Sequence, residues 1–453
     1  MQLVTRNQIN GGKMGLAKRW IIRFACLGAT LACAGSPSPA VSQTLSEKIL
    51  TMESGLEKEF EEYFGENLAD VTQSPDKIAQ TLQRIGQQTK TKPAVLWAMP
   101  RKDHLHLVLI TPAGKPIVRD LYDVTPSKLR SVVDAFHLEM HGSPSKGKMI
   151  AAQQLHNWMV KPFEAEYLQA EGIDTLLFCL GNGLRGLPLA ALYDGKQFLL
   201  EKYSVTRIPA FNLIQTDYVS LQRGQILAMG ESEFQEQPPL PAVPTELYNI
   251  LRELQSARPL KYRWKGQSLL NQNFTLSNLQ QQAKAQRPNI VHLATHAVFK
   301  PGKPDNSYIQ LWDTKLGLNN IRTVDWGSPS LELLVLSACR TAIGDEQAEL
   351  GFAGVALKSK VKSVLASLWN VSDEGTLALM SEFYRQIGTT STKAEALRQA
   401  QLGMLRGEIR VEGKQLILSR GSVPLPAELS GKVSNDLSAP YYWAAFTLVS
   451  SPW

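Results

Sequence analysis

The chain has 453 residues, 20% of them charged and 43% hydrophobic, with a formal net charge of +7. Five basic residues and no acids fall in the first 43 positions, so the remainder carries only +2 and charge gives nucleic-acid binding no support. Four cysteines in a chain of this length exclude a disulfide scaffold.

Residues 1–43 read as a secretory signal peptide. Lys13, Lys18, Arg19 and Arg23 precede an apolar run from Phe24 to Ala34, and a small, Pro-containing exit, GSPSPAVSQ, follows. Ser38 and Ala40 suit the small positions before a cut after Ala40. The run is too short to cross a bilayer comfortably. The expected location is therefore secreted or periplasmic, with a membrane anchor through an uncleaved segment as the alternative. Cys26 and Cys33 would leave with this segment, so only Cys179 and Cys339 remain.

Residues 44–92 form a helical N-terminal segment, in which Leu45, Ile49, Met52, Leu56 and Phe60 recur at helical spacing. It is expected to pack on the main domain; a dimerisation or protein-partner helix is the alternative. From Ala94 the period switches. AVLWAMP, LHLVLITP and PIVRDLY read as an antiparallel meander with turns at Pro100–Asp103 and Pro112–Gly114. Helical patterns cover 127–140 and 149–170. DTLLFCL reads as a buried strand, QFLLEKYSVTRIP as two short ones and ILAMGES as another. PPLPAVP is a loop leading to a helix at 245–254. No strong boundary divides 93–453.

Two apolar runs, NIVHLAT and LELLVLSA, have the look of strands buried on both faces of a parallel sheet. His296 follows the first and Cys339 the second. In open α/β sheets, ligands bind at the carboxyl ends of the strands. If these two strands are neighbours, the two residues face each other there. From the residues alone, two readings stand: a Cys–His nucleophilic site, or a core thiol and a structural imidazole. His292, inside its run, reads as structural. An i, i+4 metal pair of His292 and His296 is disfavoured by the β-like flanks and the lack of a third ligand cluster, so no metal and no cofactor are expected.

After Cys339 the pattern is helix (351–359), strand (363–369), helix (372–388), a helix opened by the Thr392/Glu395 capping pattern, and a terminal strand, TLVSS. A polar insertion covers 406–436. Alternating strands and helices predict an α/β fold, a largely parallel central sheet with helices on both faces.

The words of this region add to that reading. HLATHAVF, LVLSACRTAIGD, ELGFAGVALKS, VLASLWNVSDEGT and PYYWAAFTLV, with NGLRGLPLAALYDGKQFLLEKYSVTRIP upstream, resemble in order the CHAT domains, caspase-like proteins of bacteria and eukaryotes. The resemblance runs from about Ala94 to Trp453. It implies a caspase-like fold and a cysteine endopeptidase acting on protein or peptide substrates. Cys339 would be the nucleophile, His296 the proton carrier, and the backbone N–H groups of Cys339 and Ala297 the oxyanion donors. The family usually has Gly where this chain has Ala297. A positive φ there would be poorly tolerated, and the donor survives if φ is negative. The alternative is an inactive peptide-binding or cell-envelope interaction module. Substrate-pocket candidates are Asp313, Asp345, Trp369 and Asp373. Asp345, Glu346 and Glu349 suit either selection of a basic side chain or, preferably, a solvated loop; Asp373 also suits a helix start. Cys179 and Cys339 are expected to be free thiols whose strands end near the same edge of the sheet.

Overall fold

The computed structural model describes residues 44–68, 73–141, 149–256, 263–326, 331–341, 344–429 and 434–453. The expected signal peptide, 1–43, lies outside the described residues. Residues Thr44–Trp453 form one compact unit.

Two helices open it, α1 (Leu45–Phe64) and α2 (Pro75–Thr89). Thr44 caps α1 in a reciprocal box with Glu47, and Ser74 caps α2 with Pro75 at its first position. The meander follows as expected: β1 (Pro93–Pro100), β2 (Leu105–Ile110) and β3 (Ile117–Leu121), antiparallel throughout. Next come α3 (Pro126–His141), α4 (Ile150–Met159) and α5 (Lys161–Phe163), the last running into a π-turn. β4 (Thr175–Leu180) is wholly buried. The run QFLL was expected to be a strand. It is instead a helical turn, α6 (Leu199–Lys202), because the Glu201 carboxylate accepts the Phe198 N–H at 2.7 Å and closes it. Only the second half forms a strand, β5 (Ser204–Ile208).

β6 (Gln225–Gly230) leads through the proline loop to α7 (Val243–Gln255). Then come β7 (Lys265–Leu270), α8 (Leu276–Gln286), β8 (Ile290–Phe299), and the short β9 (Tyr308–Gln310) and β10 (Lys315–Gly317). β11 (Leu333–Thr341) precedes α9 (Glu346–Ala353), α10 (Val355–Ser359) and β12 (Ser363–Ser367). α11 (Asp373–Ile387) and α12 (Lys393–Leu405) start at the side-chain caps Ser372 and Thr392. The polar insertion is a separate antiparallel sheet of β13 (Arg410–Glu412), β14 (Gln415–Ile417) and β15 (Ser422–Pro424). α13 (Pro440–Trp443) and β16 (Phe446–Ser450) end the chain.

The central sheet has thirteen strands among the described residues, in the path β10-β9-β8-β11-β12-β16-β5-β4-β1-β2-β3, with β6 and β7 joined to β8. It contains two parallel blocks, β7-β6-β8-β11-β12 and β16-β5-β4-β1. β16 pairs antiparallel with β12, so the two blocks run in opposite senses. Cys179 lies one residue before the end of β4 and Cys339 near the end of β11, so the two thiols sit at opposite edges of the sheet. The expected common edge is corrected by this reversal.

Alternation along β1 shows how the sheet is covered. Ala94, Leu96 and Ala98 join the main core, while Val95, Trp97 and Met99 join a second core with Ile49, Met52 and Leu56 of α1 and Ile78, Leu82 and Ile85 of α2. The N-terminal helices are thus a cover for one sheet face. Trp97 Nε1 donates to the buried Glu53 of α1 at 2.5 Å. Arg207 of β5 donates to the carbonyl oxygens of Arg185 and Leu187, and Arg185 donates to Glu59, which binds the NGLRGLP loop between the sheet and α1.

Candidate functional site

β8 and β11 are neighbours and parallel. Their apolar cores, IVHLA and LLVL, are buried on both faces, which the flanking helices require. Both strands run further than expected: His296 and Cys339 lie within their last turns of ladder rather than just beyond them. His296 opposes Ala338, and Cys339 opposes Ala297. The candidate dyad therefore occupies adjacent register steps at the carboxyl ends of adjacent strands. The register slips between Leu336 and Ala338, one residue before Cys339. Such irregularities re-aim side chains next to reactive sites.

Opposed residues share a face and successive residues alternate. Cys339 accordingly goes with Ala297, and His296 goes with Ala338. No hydrogen bond joins imidazole and sulfur. The His296 Nε2–H donates to the carbonyl of Pro238 at 2.9 Å, since a carbonyl can only accept. That leaves Nδ1 as the acceptor in the neutral ring. The ring packs on Phe234, with centroids 4.6 Å apart. Burial pushes the imidazole pKa down, against a smaller upward pull from the Pro238 bond.

The Cys339 thiol is fully buried and donates to the Leu336 carbonyl at 3.3 Å. Burial pushes it up to about 12, opposed by the backbone N–H of Ser367 directed at the sulfur. Ser367 clamps the Cys339 backbone: its hydroxyl accepts the Cys339 N–H at 3.2 Å and donates to the Cys339 carbonyl at 3.2 Å. Ala297 has a negative φ, so Ala is sterically at ease where the family has Gly. It is paired on both sides, with Cys339 and with Ile309. The two side chains therefore lie on opposite faces of the sheet, and the resting arrangement is a protonated thiol on one face and a neutral imidazole on the other.

His292 is fully buried, as expected. Its Nδ1 lies 3.1 Å from the Tyr384 hydroxyl of α11, and its Nε2 lies 3.0 Å from Glu246 of α7, off the line of a hydrogen bond. With His296 turned to Pro238, the two imidazoles share no ligand point.

A cavity of about 370 Å³ abuts His296 through Phe234. Glu231, Glu233, Glu236, Asp313, Trp312 and Lys315 are among its lining, and Lys315 pairs with Glu236 at 3.1 Å. Glu231 is 4% exposed, has an Oε2 without a hydrogen-bond partner, and is pushed up to about 7 by burial. Of the four pocket candidates, Asp313 lines this cavity, while also accepting the Leu276 N–H at 3.0 Å. Asp345 caps α9, accepting from Gln347 and Ala348. Glu349 accepts the Gly344 N–H. Trp369 donates to the Tyr441 carbonyl and packs on His141. Asp373 accepts the Ala242 N–H at 3.3 Å, with burial pushing it up to about 6. Sequence reasoning missed Glu231, Phe234, Pro238 and Ser367. The proline loop and the Ser before LeuTrp were the signals, but neither marks a contact by itself.

No helix among the described residues is long and apolar enough to cross a membrane. No curated protein matches the sequence. Among solved structures, the chain is similar to Saccharomyces cerevisiae separase in complex with securin, with 9% identity, a TM-score of 0.45, and coverage of 82% of this chain and 30% of that one. A second separase–securin structure gives 10% identity, a TM-score of 0.45, and coverage of 91% and 34%. The chain thus spans about a third of the separase chains it matches. The Porphyromonas gingivalis complex of gingipain R pro- and mature domains gives 11% identity, a TM-score of 0.40, and coverage of 72% and 76%. The family model described as the CHAT domain matches residues 149–451, more than half of the sequence, and the chain belongs to the CHAT-domain family.

Proposed function

We propose that this protein is an exported cysteine endopeptidase in which Cys339 attacks the scissile carbonyl and His296 carries the proton. The observation that supports this most is the pairing of β8 with β11, which puts the two residues one register step apart at the carboxyl ends of parallel strands. In the reaction, the thiol would lose its proton to Nδ1 of His296 and the sulfur would bond to the carbonyl carbon. The oxyanion would take the N–H groups of Cys339 and Ala297. The imidazolium would then protonate the leaving amine. The Cys339 N–H must first leave Ser367, the thiol must leave Leu336, and the thiol and imidazole, which the register sets on opposite faces of the sheet, must be brought to one face. The resting state is therefore latent. The acidic cavity beside His296 favours substrates with a basic side chain near the cut.

The buried, protonated thiol specifically favours a second reading: an inactive module that binds peptides at the same edge. Cleavage of a diverse peptide library, read by mass spectrometry, separates the two. Cleavage by the wild type that is lost in Cys339→Ala and His296→Ala supports the peptidase; cleavage unchanged by both, or none at all, supports the binding module. Recovery from the periplasm of a chain starting between Gly35 and Thr44 supports export. An intact Met1 in the cytosol contradicts it.

A further inference from the structure

The β2–β3 hairpin, at the far side of the sheet from β8 and β11, carries a side-chain cluster that the peptidase reading does not use. His104 precedes β2, His106 lies two residues on, and Asp120 opposes His106 in the register of β3. Nδ1 of His106 lies 2.6 Å from Asp120 Oδ1, and Nε2 of His104 lies 3.3 Å from the same oxygen. The donor atoms all fall within 4.8 Å of one another. Asp103 Oδ1 lies 2.7 Å from Nδ1 of His104.

The protons decide what this cluster asks for. Asp103 accepts the N–H of His104 Nδ1. In neutral His104 that leaves Nε2 with a bare lone pair 3.3 Å from an oxygen that also carries lone pairs. A cation between them removes the conflict. We propose that His104, His106 and Asp120 bind one divalent transition-metal ion of the zinc type, with Asp103 orienting His104.

Two imidazoles and one carboxylate are a borderline donor set of the kind zinc takes with three protein ligands and a water. Metal–ligand bonds of about 2.0–2.1 Å in a tetrahedron put donor atoms roughly 3.3 Å apart. The gap from His104 to Asp120 already has that length. The gap from His106 to Asp120 is a hydrogen bond, so the ion displaces the proton on His106 Nδ1 and the pair opens by less than about 1 Å. A carboxylate on the outer nitrogen of a ligating histidine fixes its tautomer and orientation. The Tyr122 ring, 4.7 Å from that of His104, packs against it as well. His104 and His106 are 16% and 23% exposed and Asp120 35%, so an ion has access and a water can complete the shell.

The test uses the full mature chain without a polyhistidine tag, stripped with chelator and titrated with Zn²⁺ by calorimetry in two buffers of different ionisation enthalpy. The expected result is one equivalent bound with release of a proton. Affinity should fall at least ~10-fold in His106→Ala and Asp120→Asn, and ~10- to 100-fold in Asp103→Asn. A tetrahedral Co²⁺ absorption spectrum in the wild type, absent from His106→Ala, gives a second readout independent of stability. Zinc binding that persists unchanged in the His106→Ala/Asp120→Asn double variant overturns the proposal, because the ion then sits elsewhere. Absence of binding by a folded wild type overturns it too and leaves the cluster as a hydrogen-bonded hairpin clasp.

Discussion

The reactivity of Cys339 is set by where its thiol sits rather than by its identity. Thiolate, not thiol, is the nucleophile. A thiol pushed up to about 12 by burial supplies about one thiolate in 10⁴ at pH 8. Cys179, fully buried and donating to the Pro209 carbonyl, is also pushed well above the ordinary thiol range, by burial and then by Glu53. Both are free thiols. Alkylation of the native, substrate-free protein should therefore be ~10³-fold slower than after denaturation. Denaturation without reductant should expose two groups in a chain that lacks residues 1–43. Rapid native labelling of Cys339 would show that the resting thiol is not covered, and finding no groups would reveal a bridge.

At the scale of elements, α1 buries a carboxylate, and this predicts a pH dependence. Glu53 is fully enclosed between α1, Trp97 and the Asn212 backbone, and burial raises it from 4.5 to about 7. Below about pH 4.5 the group is protonated whether the chain is folded or not. Between 4.5 and 7 the unfolded chain releases the proton while the folded one keeps it, so stability falls as pH rises. Above about 7 both states are ionised and the loss levels off, at roughly 3 kcal/mol. Melting curves from pH 4 to 8 should show the gap between Glu53→Gln and wild type shifting in favour of the variant across this window. A constant gap would mean that Glu53 titrates normally.

At the scale of the whole molecule, β16 is the seam. It lies between β12 and β5 and joins the two opposed parallel blocks. Phe446, Leu448, Val449 and Trp453 are each at most 2% exposed. Burying four such side chains contributes about 6–12 kcal/mol, comparable to the whole stability of a domain, about 5–15 kcal/mol. The last strand also completes the sheet interior, and its removal would leave two open edges. A chain ending at Ala445 should therefore lose its cooperative thermal transition and its resistance to limited proteolysis. A truncated protein that melts cooperatively within a few degrees of the intact one would contradict this.

The alternation of the long strands β8, β11, β12 and β16 with their helices was legible because each local signal agrees with its surroundings, whereas the short β9 and β10 and the β13–β15 sheet inside the polar insertion were not read. Doubly buried strands must be apolar runs, and Ser372 and Thr392 cap helices wherever those helices pack. The motif words also placed His296 and Cys339 on neighbouring strands. Other elements could not be read locally. Phe198–Leu200 has the composition of a strand, but one carboxylate closes it into a helical turn. β7 is half exposed, and α8 buries only Leu279 and Ala283, so neither shows a strong period. The opposed senses of the two blocks depend on the pairing of β16 with β12, partners about eighty residues apart that no local pattern relates. The chemical state of the site is likewise tertiary. The sequence determined which residues stand at the strand ends. Only the folded chain brings the Pro238 carbonyl to His296 from 58 residues away and the Ser367 hydroxyl to Cys339 from 28, and only packing on both faces of the sheet removes the water that a thiolate would need.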